Sequence, residues 1–148
     1  MKALVTSRIT IAAKPAKAFR YLTDLKYHQL WNPHLVSIVP LIKLKLGSQY
    51  KNVSVLLGVE VKGTNVVTKF KANKELELSN TAGLLQYVVY YRLQSRGQKT
   101  LLSCTTAVSS RSNAFAFAAP ILEILARREL QTDLSALKIA VEQRLAGA

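Results

Sequence analysis

The chain has 148 residues, enough for one domain with a single substantial core, and its 49% hydrophobic and 20% charged content excludes a disordered chain. Six scattered glycines and four prolines exclude collagen-like and low-complexity classes, while a lone cysteine, Cys104, excludes an intrachain disulfide scaffold and favours a reducing compartment. Lysine and arginine outnumber aspartate and glutamate by 21 to 8, a net charge of +13 that favours polyanionic surroundings without specifying a fold.

Val5, Ser7, Ile9 and Ile11 alternate with Leu4, Thr6, Arg8 and Thr10, which predicts a strand with one mostly apolar face. Lys14-Pro15 opens a helix, because proline is tolerated at the first helical position, and Phe19, Leu22 and Leu25 give it a narrow buried stripe. Lys14 is a poor N-cap, and with Lys17 it sets positive charge where the helix dipole disfavours it. Lys14, Lys17 and Arg20 are therefore read either as a solvated basic face or as an anion- or membrane-binding surface. A second short helix spans 26–32 and ends at Asn32-Pro33, since the residue before proline avoids the helical region.

The stretch 34–46 reads as extended but broken by Pro40, hence an edge or irregular strand. Beyond Ser48 strand follows strand. Val53, Val55, Leu57, Val59 and Val61 form one alternating set, and Leu85, Tyr87, Val89, Tyr91 and Leu93 form the cleanest apolar face. Turns are expected at 62–65, 72–73, 79–83 and 95–97. At the C-terminus Ala118, Leu122, Ala126, Leu130, Leu134, Leu137, Val141 and Leu145 recur at spacings of three or four, an amphipathic helix that Pro120 either opens or kinks. Such a helix is longer than a strand and must lie across a sheet, so the expectation is a single α+β domain over 1–148.

The order of elements and several local signatures resemble the START-like superfamily, the polyketide cyclase/dehydrase and lipid-transport group (SRPBCC). The signatures are 9–19 (ITIAAKPAKAF), Leu22-Thr23-Asp24, Trp31-Asn32-Pro33, the glycine in 46–50 (LGSQY) and 133–138 (DLSALK) followed by Glu142. Each is short, and their order carries the likeness over nearly the whole chain. The resemblance implies a helix-grip fold like that of birch-pollen allergens: a curved antiparallel sheet wrapped around a long C-terminal helix, with two short helices after the first strand. Members bind lipids, sterols, quinones or hormones, cyclise aromatic polyketides, or dock on protein partners, so fold alone does not choose among these.

The residues themselves offer little catalytic equipment. His28, His34 and Cys104 are too few and too scattered for a zinc site, and no serine-nucleophile elbow or dinucleotide fingerprint is present; no metal or other cofactor is expected. The 58–64 segment mimics a phosphate loop's glycine spacing but lacks its lysine and reads as a hairpin. Glu60, Glu75 and Glu77 fall on the polar sides of their strands, so no carboxylate pair or histidine–carboxylate couple is placed inward. What remains is a pocket between sheet and last helix, with Trp31, His34, Val55, Leu57, Tyr87, Val89, Tyr91, Cys104, Phe117, Ile121 and Leu125 as its candidate lining. Within it Tyr87 and Tyr91 are either core residues with satisfied hydroxyls or polar anchors for a ligand. Trp31 is a packing anchor or a ligand contact, Cys104 a small inward filler, and His34 or Tyr91 the candidate proton carrier.

The leading expectation is a non-catalytic binder or carrier of a hydrophobic small molecule, a lipid, quinone or polyketide-like compound, entering past 115–121 or the loop near Gly83. The alternatives are a polyketide cyclase/dehydrase-type enzyme, or a basic partner-binding module with a filled cavity. Partners beyond the small molecule are an anionic membrane surface or an acidic protein; without exposed aromatics or a reading helix, nucleic acid is not expected. No apolar run is long enough to span a bilayer, and Thr6, Ser7 and Arg8 interrupt what begins like a signal peptide. The expected location is cytoplasmic, with peripheral residence at a membrane as an extension.

Overall fold

The computed structural model describes residues 2–56, 59–80, 85–110 and 119–146. Strand β1 (Lys2–Ile11) leads into helix α1 (Pro15–Thr23), a 3-10 turn (Leu25–Tyr27) and helix α2 (His28–Trp31). Six strands follow, β2 (Leu35–Val39), β3 (Gln49–Leu56), β4 (Val59–Lys71), β5 (Glu75–Asn80), β6 (Leu85–Arg96) and β7 (Lys99–Ser110), and then helix α3 (Ala119–Ala146). The seven strands form one antiparallel sheet in the order β1-β7-β6-β5-β4-β3-β2.

Local chemistry explains the boundaries. Pro15 begins α1 behind Lys14, whose side chain makes no capping bond. Asp24 accepts from the amide of Lys26 at 3.3 Å and starts the 3-10 turn. Pro120 stands in the first turn of α3, where its missing N–H costs nothing, so it opens the helix and does not kink it. Asn73 and Gly97 hold the β4–β5 and β6–β7 turns with φ of 63° each, a left-handed conformation that these two residue types tolerate best.

Helix α3 has 28 residues, about 42 Å at 1.5 Å per residue, and crosses the inner face of the sheet. From Leu130 to Val141 the stripe is the expected one: Leu130, Leu134, Leu137 and Val141 are buried in a core shared with Val5, Ile11, Leu76, Leu102 and Cys104, while Ala118 and the side chains of Leu122 and Leu145 lie outside the described residues. Lys138 Nζ donates to Thr10 O, and Glu142 accepts from the amide of Ala12, each within 2.8 Å, which fastens the C-terminal part of α3 to the end of β1. Among the described residues no helix is long and apolar enough to cross a membrane.

Two expectations need correction. The stretch 62–65 is not a turn but the middle of the 13-residue strand β4. Gly63 is there for space, since a Cβ would stand 2.9 Å from Cγ of Asn80. Nor do Val53 to Val61 form one alternating set: β3 and β4 are antiparallel, and Val61 lies opposite Ser54 while Val55 lies opposite Glu60. Cross-strand partners share a face, so the inward residues of β3 are Tyr50, Asn52 and Ser54, and Val55 points outward.

Candidate functional site

Between the concave face of the sheet and α3 lies a cavity of about 150 Å3. Its apolar wall is formed by Leu35 and Ile38 from β2, Val61 from β4, Val89 from β6, Val108 from β7, and Ala126 and Leu130 from α3. Trp31 closes one end, its ring edge-on to Tyr91 at 6.4 Å between centroids. The indole N–H donates to Tyr21 O at 3.0 Å, so the polar atom is satisfied and the ring is held against the cavity. His28 packs on both Trp31 and Tyr50, and its Nε2 hydrogen-bonds Leu22 O at 2.6 Å. Burial pushes His28 down to about 4, so it is a neutral structural histidine at physiological pH.

The polar side of the cavity rests on the sheet register. Tyr50, Asn65, Asn80 and Tyr87 follow one another across β3, β4, β5 and β6 as paired residues. The Tyr87 hydroxyl donates to Asn65 Oδ1 at 3.0 Å and accepts from Asn52 Nδ2 at 3.4 Å. Burial raises the Tyr87 phenol while its contacts with Asn52, Asn80 and Asn65 oppose the shift. Tyr50 and Tyr91 are raised by burial well beyond the ordinary phenol range and stay protonated donors.

On α3, Glu129 and Asp133 are one turn apart and both line the cavity. Burial holds Glu129 up at about 7, and burial with the neighbouring Glu129 carboxylate holds Asp133 up at about 8. Oδ1 of Asp133 is buried and has no hydrogen-bond partner among the described residues. His34 Nε2 lies 4.0 Å from Glu129 Oε1. A carboxylate pair and a histidine–carboxylate couple therefore do face inward, contrary to expectation. The expectation rests on the strand carboxylates alone, whereas these two stand on α3, beside Ala126 and Leu130.

Of the sequence-derived candidates, Trp31, His34, Tyr87, Val89 and Tyr91 meet in this cavity. Cys104 is fully buried beneath it as a filler, its thiol pushed up to about 12 by burial. Val55 faces away, for the register reason above, and Leu125 is half-buried outside the wall, because the helix presents Ala126 instead. Leu57 and Phe117, the loop near Gly83, and the side chain of Ile121 lie outside the described residues. Lys17 and Arg20 sit on α1 and Lys14 just before it, away from the cavity wall. Sequence reasoning missed Glu129, Asp133 and the three asparagines. Among the described residues no cluster of histidine, cysteine and carboxylate groups could hold a metal ion.

The fold has many solved counterparts. A protein of Thermus thermophilus superposes with a TM-score of 0.84 at 15% identity, covering 95% of this chain and 98% of its own. A START superfamily protein from Mycobacterium smegmatis gives 0.82 at 20% identity, with 95% and 97% covered. The Zhui aromatase/cyclase from a Streptomyces species gives 0.82 at 17% identity, with 98% and 96% covered. A comparison with curated protein sequences finds no match. The family model described as polyketide cyclase / dehydrase and lipid transport matches residues 2–142, and the chain belongs to that family.

Proposed function

We propose that the protein binds a small, largely apolar, uncharged molecule, ring-sized and carrying one or two hydroxyl or carbonyl groups, between the sheet and α3. The observation that carries this reading is Oδ1 of Asp133, buried without a partner among the described residues and facing a cavity that has one apolar wall. A buried polar atom without a partner costs free energy that a ligand's polar group would recover. Near neutral pH the Asp133 carboxyl is mostly protonated and can donate to a carbonyl or accept from a hydroxyl. No lysine or arginine lines the described cavity, so a charged acid would find no counter-ion. A cavity of about 150 Å3 accommodates one benzene-sized ring, with any alkyl substituents on it reaching towards the mouth. A longer lipid or quinone tail would have to extend past the mouth.

Trp31 is the single tryptophan and stands in the cavity wall, so its emission reports occupancy directly. Thymol, an uncharged ring with one hydroxyl, is expected to change that emission saturably at one site per chain. Ala126→Phe should fill the space and abolish the response. A folded Ala126→Phe variant with unchanged thymol affinity would overturn the reading.

The same carboxyls favour a second reading, a cyclase/dehydrase-type enzyme. Glu129 and Asp133, held up at about 7 and 8, have the affinities of groups that give and take protons near neutral pH, and His34 stands beside Glu129. On a bound β-keto chain they would move the proton next to a carbonyl. Under this reading Asp133→Gln lowers turnover of such a chain by two or more orders of magnitude while thymol still binds. An unchanged rate would remove Asp133 from the chemistry.

A further inference from the structure

We propose that the β2 edge and the segment after it form a docking surface for an anionic lipid bilayer, from which the cavity takes its ligand; the uptake part rests on the cavity reading above. Between Asp24 and Glu60 the sequence contains no acidic residue, whereas Lys26, Lys43, Lys45 and Lys51 all fall there. Among the described side chains of the same stretch, five large apolar ones are at least half exposed: Leu30 50%, Val36 56%, Val39 58%, Leu41 62% and Leu46 64%.

The fold gathers these residues on one margin. Strand β2 is outermost in the sheet and pairs only with β3. An irregularity between Leu35 and Ser37 turns Leu35 and Ile38 inward and leaves Val36 and Val39 outside. Val39 lies opposite Lys51. After Pro40 the exposed Leu41, Lys43 and Lys45 alternate with half-buried Ile42 and buried Leu44. This alternation is fixed by the backbone, with the amide of Leu25 donating to Ile42 O at 3.0 Å and that of Leu44 to Thr23 O at 2.7 Å. Gln29 Nε2 donates to Val36 O at 3.1 Å and holds α2 against β2.

The inner side of these elements is the cavity wall: Trp31, Leu35 and Ile38 face inward from the segment whose outer side carries Leu30, Val36 and Val39. One layer of chain thus separates the cavity from an exposed apolar surface set among lysines. That pairing fits a bilayer, where aliphatic side chains enter the acyl boundary while lysines stay at phosphate level. A nucleic acid would leave five aliphatic side chains unused. A second copy of a +13 chain would bring like charges together. Helix α1, with Lys14, Lys17 and Arg20, offers charge but no exposed large apolar residue, so it serves as the comparison surface.

The test is co-sedimentation of the full chain with phosphatidylglycerol/phosphatidylcholine vesicles and with pure phosphatidylcholine vesicles. Binding to the anionic vesicles is expected. The double change Leu41→Asp, Leu46→Asp should lower it at least tenfold. Lys43→Glu with Lys45→Glu should do the same at low salt, since each surface lysine contributes about fivefold. Lys14→Glu with Lys17→Glu should have the smaller effect. Failure of the wild type to bind anionic vesicles overturns the proposal, as does undiminished binding by the Leu41/Leu46 variant. A dimer in vesicle-free buffer that the Leu41/Leu46 variant splits would assign the surface to a second copy instead. Thymol titration without vesicles separates the two readings: the surface variants, outside the cavity wall, should keep wild-type affinity. Vesicle binding by a wild type that takes no thymol would overturn the uptake step.

Discussion

Replacing Asp133 by Asn should make the fold less sensitive to rising pH. In the folded protein burial, reinforced by Glu129, holds the Asp133 carboxyl up at about 8 against an ordinary 3.8. The unfolded chain ionises it near pH 4. Between those values the folded state keeps a proton that the unfolded state has lost. The contribution to stability is therefore complete below about pH 4 and disappears as pH rises through about 8. One proton changes stability by at most about 1.4 kcal/mol per pH unit, roughly 2 kcal/mol between about pH 6.5 and 8. Glu129, held up at about 7, adds to the lower part of that window. His28 acts between about 4 and 6.5 and Cys104 above about 9, so neither masks the effect. Urea unfolding followed by Trp31 emission at about pH 6.5, 7 and 8 measures it. The wild type should lose roughly 2 kcal/mol, worth about 4–8 °C in Tm for a chain of this size. Asp133→Asn should lose less than half as much. Equal slopes for the two proteins would refute the claim that Asp133 is protonated in the folded cavity.

Other groups carry predictions of their own. His28 lowered to about 4 means that stability falls as pH drops from 6.5 through 4, and its imidazole resonances in an NMR titration should stay neutral down to about pH 5; a midpoint near 6.5 would contradict its burial. Gly63→Ala should destabilise by about 1–3 kcal/mol in urea titration, because the new methyl group meets the Asn80 side chain; a neutral change would mean that β4 and β5 are not so close. Tyr87→Phe leaves Asn65 Oδ1 without its donor inside the core and should cost about 1–3 kcal/mol. Unchanged stability would show that the asparagine row is solvated.

The architecture was legible because its signals are long and redundant. The stripe from Ala126 to Val141 needed a sheet to lie on, and the alternation around Tyr87 and Tyr91 named that sheet's inner face. Pattern reading failed where the chain reverses. Alternation carries parity along one strand only, and the antiparallel pairing of β3 with β4 resets it, so the pattern puts Val55 on the wrong face and passes over Asn52 and Ser54. Gly63 looked like a turn because a glycine that makes room for a partner side chain has the same letter as one that bends the backbone. The acidic pair was obscured differently. Glu129 and Asp133 sit at the border of the apolar stripe, each immediately before a core leucine, Leu130 and Leu134. A spacing of four beside such a stripe was the available signal, but only the sheet's curvature shows that this border faces a cavity.

The account turns on whether a small apolar molecule enters between the sheet and α3. Intermolecular NOEs between bound thymol and methyl-labelled protein test this most directly. Contacts are predicted to Val61, Val89, Val108 and Ala126, which converge on the cavity from three strands and the helix. Contacts confined to Leu30, Val36 and Leu41, on the outer surface, would contradict the account and leave the cavity without its ligand.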